Sequence, residues 1–344
     1  MTIQILYGIV LIAIGALMSG SFAIPFDRVK EWKWENYWLI YSLFGYVIVP
    51  FVICLLFAPG FLIALGQVPP RTLGWVFLLG AIYGAANLMF GLSLRYLGIA
   101  LGYALSLGLM MAIGTLVPPA IDGRLAKLFE SESGLILVAG ILISLTGIGL
   151  SGYAGYLKSR QTESGGGVNR EFDLRKGLAA ALFVGIAGSA CALGIEQGAP
   201  IAQACVANGA DPLFQDCAVF LVLYGGAFVT TLAWCLYLAW KNRTIRYFFK
   251  AGASVSLWMN YLLCAAAGFL WYINYVFFGM GKSRMGEYSF VAWGILMTLT
   301  IVFATLWGLY RKEWKNVSRQ CYALMWTGLI ILLVASFLIG MSSN

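Results

Sequence analysis

The chain is organised by runs of about twenty mostly apolar residues, the length an α-helix needs to cross a bilayer. Ten such spans occur in its 344 residues: 4–26, 37–58, 72–94, 97–119, 134–156, 176–196, 214–240, 256–280, 287–310 and 320–341. In hydrocarbon every backbone N–H and C=O must be paired inside the protein, and for runs of this length the helix is the solution. Charged residues make up only 10% of the chain, against about 25% in soluble domains, too few to clothe a solvated surface. The sequence therefore predicts an all-α polytopic membrane protein with ten transmembrane helices.

The longest polar connection is KSRQTESGGGVNREFDLRK, residues 158–176, whose Gly-rich centre reads as a flexible linker. It leaves five spans on either side: a first repeat over 1–157, a cytoplasmic linker over 158–175 and a second repeat over 176–344. Connections of odd rank hold 17 Lys and Arg and those of even rank hold 5. That bias puts the odd connections in the cytoplasm and both termini in the periplasm of a bacterial inner membrane. Five spans per half means that the second half enters the bilayer inverted, a plan common in secondary transporters. Residues 91–118 and 279–308 echo one another: each opens on a Gly-containing hairpin with an Arg and continues into a Gly-rich helix with GLMM or GILM.

Several chemistries lack raw material. There is no histidine, and the seven cysteines form no CxxC pair, so neither a structural zinc site nor a His-based triad can be assembled. The cysteines read as small buried residues, although Cys205 and Cys217 lie near one loop where a disulfide is conceivable. GxxxxGK[ST], HExxH and GxSxG do not occur, which argues against an ATP-driven pump, a metalloprotease or an esterase. The net charge of +8 sits in short connections between apolar runs, a topology signal rather than a nucleic-acid footprint. The chain is expected to be no enzyme, to need no metal or other cofactor, and to bind no nucleic acid.

Polar groups inside apolar spans are costly, so they carry the functional reading. Ser19 and Ser21 precede Pro25 in the first span. Tyr83 and Asn87 share a helix face in the third, and Tyr103 and Ser106 lie in the fourth. The eighth carries WYINY, with Trp271, Tyr272, Asn274 and Tyr275. An amide that exchanges hydrogen bonds with hydroxyls, beside a ring that packs on C–H faces, suits a neutral sugar. The same residues also serve interhelical hydrogen bonding and interfacial belts. Ser21, Tyr83, Asn87, Tyr103, Trp271, Tyr272 and Asn274 are the candidate substrate contacts. For ion coupling the candidates are Glu196, at the end of the sixth span, and Glu287, which opens the ninth. Asp27, Glu31 and Glu35 alternate with Arg28, Lys30 and Lys33, and read as a solvated, mutually neutralising surface beside a belt of Trp32, Trp34 and Trp38.

Five segments together, SGSFAIPFDRVKEWKWENYW, GAIYGAANLMFGLSLRYLGIALG, NGADPLF, FLWYINYVFFGMG and RKEWKN, resemble the L-rhamnose–proton symporter family of the drug/metabolite transporter superfamily. The resemblance covers essentially the whole chain in order and spacing. It implies two inverted five-helix halves and inward transport of a 6-deoxy sugar driven by protons. The chain departs from the family pattern at Glu196, where members carry Asn, at Asn274, where they carry Gln, and at the Lys282–Ser289 hairpin, where they carry acidic residues or His. The expected partners are a small sugar, protons (with sodium open as an alternative ion) and the lipid bilayer, the oligomeric state being open. A metabolite exporter or exchanger of the same superfamily, and a sugar sensor that moves nothing, are the alternative functions.

Overall fold

The computed structural model describes residues 3–97, 99–121, 123, 129–163, 173–249, 257–286, 289, 291–312, 314–315 and 317–341. Helices account for the architecture, and no strand occurs among the described residues. Among the described residues nine helical stretches are long and apolar enough to cross a membrane, the first Ile3–Arg28 and the last Arg319–Gly340. Between the third and fourth of these lies a further helix, Ile99–Ile121, whose apolar part is the shorter stretch Leu105–Ile121. Large apolar side chains such as Leu56, Leu62, Trp240 and Phe337 point outward, an arrangement stable when the surrounding solvent is lipid. This is an all-α, multi-pass membrane protein.

Local chemistry explains where the helices stop. α1 (Ile3–Ser21) is followed by a 3-10 turn, Ile24–Arg28, with Pro25 at its start, because proline offers no N–H to continue an α-helix. The second span is α2 (Trp34–Leu43), a π-helical turn (Phe44–Ile48) and α3 (Val49–Phe57). A short α4 (Phe61–Gln67) precedes α5 (Pro70–Leu97), which opens on proline, and α6 (Ile99–Ile121) follows after a single residue. That tight connection makes the expected antiparallel hairpin, and Ser93 and Ser106 share a hydrogen bond of 3.0 Å across it. α7 (Glu132–Glu163) runs six residues into the predicted linker. Gln161 at its end exchanges hydrogen bonds with Ser318.

The sixth span is longer than its apolar window and is broken twice, into α8 (Leu174–Gly188), α9 (Ala190–Gln197) and α10 (Ala199–Ala207). Asp173 caps α8 by accepting from the Lys176 backbone N–H, which holds its carboxyl below the usual carboxylate range. Pro200 restarts the chain after Gly198 in the way Pro25 does after α1. The remaining helices are α11 (Cys217–Lys241), α12 (Leu257–Lys282), α13 (Val291–Tyr310) and α14 (Arg319–Met341).

The chain resolves into two compact units, each drawn from both halves of the sequence. One comprises residues 1–20, 86–193 and 281–344, the other residues 21–85 and 194–280. In the first, α7 packs along α14, and α6 packs against α7, α8 and α13. In the second, the α2–π–α3 segment packs on α11, and α4 on α10. In the first unit several helices meet through side chains set into glycine notches. Leu109 fills the space where Gly185 lacks a side chain, Met110 does so at Gly188, and Ile339 at Gly140.

Candidate substrate site

In the second unit the α5 and α11 backbones touch. A Cβ at Gly80 would overlap the Leu223 carbonyl, and one at Gly226 would overlap the Phe77 carbonyl. A Cβ at Gly84 would stand 2.7 Å from the Ala227 oxygen. Such approach is what small residues permit in helix pairs without a hydrophobic driving force. The Thr230 hydroxyl ties the two helices by donating to the Ala81 carbonyl at 3.0 Å. The Tyr83 ring is thereby carried to 6.2 Å from the Tyr224 ring.

A second close approach joins the π turn to α12. A Cβ at Gly268 would lie 2.8 Å from the Gly45 nitrogen. The π turn inserts one extra residue, which re-aims the side chains around it, and such turns recur at functional sites. Here it sets Tyr46 edge-on to Trp271, with ring centroids 4.6 Å apart. Tyr224 lies 4.8 Å from both Trp271 and Tyr275, and Trp271 lies 4.9 Å from Tyr275. Phe220 adds a ring 5.7 Å from Tyr275 and meets Tyr272 edge-on. On the other side Tyr41 faces Trp271 and stacks on Phe22, the neighbour of Ser21. All these tyrosines and Trp271 are buried. Each well-oriented ring pair is worth about 0.5–1.5 kcal/mol beyond its area, so the cluster is rigid while presenting both π faces and phenol groups.

The cluster unites three of the predicted contacts, Tyr83, Trp271 and Tyr272. Asn274 is on the same helix and buried, and its amide donates to the Trp271 carbonyl one turn back. Ser21 is buried at the end of α1. Asn87 follows Tyr83 by one turn of α5, as the spacing predicts, and is half-buried in the first unit. Glu196 is half-buried near the end of α9. Tyr103 belongs to α6, but its side chain lies outside the described residues, and so does Glu287.

Sequence reasoning missed Tyr41, Tyr46, Phe220 and Tyr224. The usable signal was positional: Tyr46 and Tyr224 each sit beside a glycine in the second span of their half, in FGYV and LYGG. Two further expectations fail around Trp32–Trp38. Glu35 is buried rather than solvated, because the Asn242 amide and the Thr244 hydroxyl donate to its carboxylate at 3.0 and 2.8 Å. Trp32 is buried too, edge-on to Tyr261 at 5.0 Å, so it belongs to the core rather than to a belt. Next to it the Asn260 amide exchanges two hydrogen bonds with the Lys30 backbone. The seven cysteines are buried and unbridged, as their reading as small apolar residues expects.

Helices interrupted by proline and a π turn, around a buried aromatic and polar cluster in a multi-pass protein, are a form that secondary transporters share. The family described as L-rhamnose-proton symport protein (RhaT) matches residues 1–344, and the chain belongs to that family of symporters, which are not enzymes. It is 32% identical to the L-rhamnose-proton symporter of Salmonella gallinarum over 332 residues, 95% of each chain. The symporters of the same name from Salmonella paratyphi B and Salmonella newport are each 32% identical over 331 residues, again 95% of each chain.

Proposed function

We propose that this protein imports L-rhamnose, or a related 6-deoxy sugar, by proton symport across the bacterial inner membrane, working by alternating access. The observation that carries the reading is the match to symporters of that name along nearly the whole chain, in a protein whose Tyr83, Trp271 and Tyr272 converge on one buried aromatic cluster. In this reading the rings pack on the sugar's C–H faces and methyl group, while Asn274 exchanges hydrogen bonds with its hydroxyls. Glu196 and Glu287 are the carboxylates the sequence offers for coupling.

An inverted repeat is supported by which helices pair. Spans of equal rank in the two halves pack together: the second with the seventh, the fourth with the ninth, and the fifth with the tenth. The chain passes from one unit to the other in the first and third span of each half. A protein that cycles between two states needs such correspondence, so that one half can adopt the arrangement the other has just left.

The test is uptake of labelled L-rhamnose into proteoliposomes under an imposed pH gradient, with and without sodium. Accumulation that follows the pH gradient is expected. Accumulation that follows sodium alone overturns proton coupling, and counterflow without net accumulation marks an exchanger.

A further inference from the structure

Within the first unit, the pair formed by α7 and α14 differs in charge between its two ends. The helices run antiparallel: Gly140 near the start of α7 meets Ile339 near the end of α14, and Gln161 meets Ser318 at the opposite end. At the first end, residues 122–132 hold three acidic and two basic residues. At the other, residues 158–163 and 311–319 hold six basic residues and two acidic ones. A topology signal needs only a count of Lys and Arg in a connection. Here the basic end is also built.

Two chain segments are tied together there. The Gln161 amide donates to the Ser318 hydroxyl at 2.9 Å and accepts from the Ser318 backbone N–H at 2.7 Å. Beside them the Cys321 thiol donates to the Ala154 carbonyl at 3.0 Å. Lys158 holds its ammonium 4.8 Å from the centre of the Trp314 ring, a cation–π contact across the same seam. On this frame Lys312, Lys315 and Arg319 are exposed and form no ion pair among the described residues. Cations fixed in this way set up a local positive field that an anion neutralises.

The same end is amphiphilic. Tyr310 is 78% exposed and Tyr153 is 49% exposed, as rings at the level of lipid headgroups are. Starting one turn after Arg319, α14 carries an exposed apolar stripe at helical spacing: Tyr322, Trp326, Ile330, Leu333 and Phe337. At about 1.5 Å per residue the stripe runs about 16 Å from Tyr322 to Leu333, half of the roughly 30 Å of hydrocarbon in a bilayer. A matching ligand has a negative head and an acyl chain that reaches through one leaflet.

We propose that this end of the first unit binds an anionic phospholipid from the surrounding bilayer. Lys315 and Arg319 hold its phosphate, and its chain lies on Tyr322, Trp326 and Ile330. Bound there, the lipid strengthens the seam that Gln161 and Ser318 tie. The site is independent of what the protein transports.

The test uses the purified full-length protein in detergent, with phosphatidylglycerol, phosphatidylcholine or glycerol 3-phosphate added at equal concentration. Native mass spectrometry measures bound lipid, and thermal unfolding measures its effect. Phosphatidylglycerol is expected to bind at least fivefold more than phosphatidylcholine and to raise Tm, while glycerol 3-phosphate leaves Tm unchanged. Lys315→Gln combined with Arg319→Gln should remove the preference for phosphatidylglycerol. Lys315→Arg combined with Arg319→Lys keeps the charge and should keep the preference. Lys241→Gln combined with Arg246→Gln removes two exposed charges from the other unit, and this control should also keep it. Equal binding of the two lipids by wild type, an undiminished preference in the first double variant, or an equal loss in the control overturns the proposal. A rise in Tm with glycerol 3-phosphate that matches phosphatidylglycerol overturns it too, because the ligand is then a free phosphate and the apolar stripe plays no part.

Discussion

The two units solve the same problem, holding helices together in lipid, by different means. In residues 1–20, 86–193 and 281–344 many contacts are aliphatic side chains lodged in glycine notches, as Leu109 against Gly185 and Ile339 against Gly140, and backbones meet where Gly8 faces Gly281. Among the polar groups buried there are short hydroxyls, such as Ser144 and Thr298, 3.5 Å apart. In residues 21–85 and 194–280 backbones meet directly at Gly80, Gly226 and Gly268. The space between is filled by tyrosines, Trp271 and two buried carboxylates. Side-chain notches give a tolerant scaffold that can adjust by rotamer changes. Backbone contacts and interlocked rings give an unyielding frame, which is what a binding site needs to hold polar groups in register.

The comparison breaks most easily at the glycines. Gly80→Leu should abolish recovery of folded protein, because no rotamer change moves the Leu223 carbonyl away. Gly188→Ala, whose tight contacts are with the flexible Met110 side chain, should leave a folded protein with a modestly lowered Tm. Gly74→Ala, with open space around it, is the control expected to match wild type. Monodispersity in detergent and thermal unfolding measure all three. Equal damage at Gly80 and Gly188 would erase the distinction between the units.

Next in size is Trp271→Ala, which removes a buried ring in contact with Tyr41, Tyr46, Tyr224 and Tyr275. It should cost about 3–5 kcal/mol in a denaturation series, and rhamnose binding by the remaining folded fraction should be lost. Tyr46→Phe keeps the ring and tests the phenol: stability should hold while the apparent KM for rhamnose rises. Glu35→Ala leaves the Asn242 and Thr244 donors without their acceptor and should cost about 1–3 kcal/mol. The smallest effect is expected in the other unit. Ser144→Ala removes one hydroxyl contact with Thr298 and should cost about 0.6 kcal/mol, the usual size of a side-chain hydrogen bond between membrane helices.

Much of this was legible without coordinates, and the exceptions share a cause. The hairpin in GLSLRYLG and the helical face holding Tyr83 and Asn87 depend on neighbours in the chain, and the structure forms both of them. Trp271 and Tyr272 were legible as unusual residues in an apolar run, but their partners Tyr46, Tyr224 and Phe220 come from helices distant in sequence. Glu35 shows the limit most clearly. Alternation with Lys30 and Lys33 looked like a solvated surface, and two donors more than two hundred residues away made it a core group.

The sequence by itself determined the class of the molecule: apolar runs of membrane-spanning length leave the backbone no partner but its own helix. It also determined the family, because matching residues extend along the whole chain. Only the tertiary structure decided which spans share a unit, that a π turn aims Tyr46 at Trp271, and that Asp216 is buried while Glu196 is half-buried. Helix formation is a local choice. Burial and ring contact depend on how closely two backbones can approach, and that was settled by glycines facing each other across helices far apart in the chain.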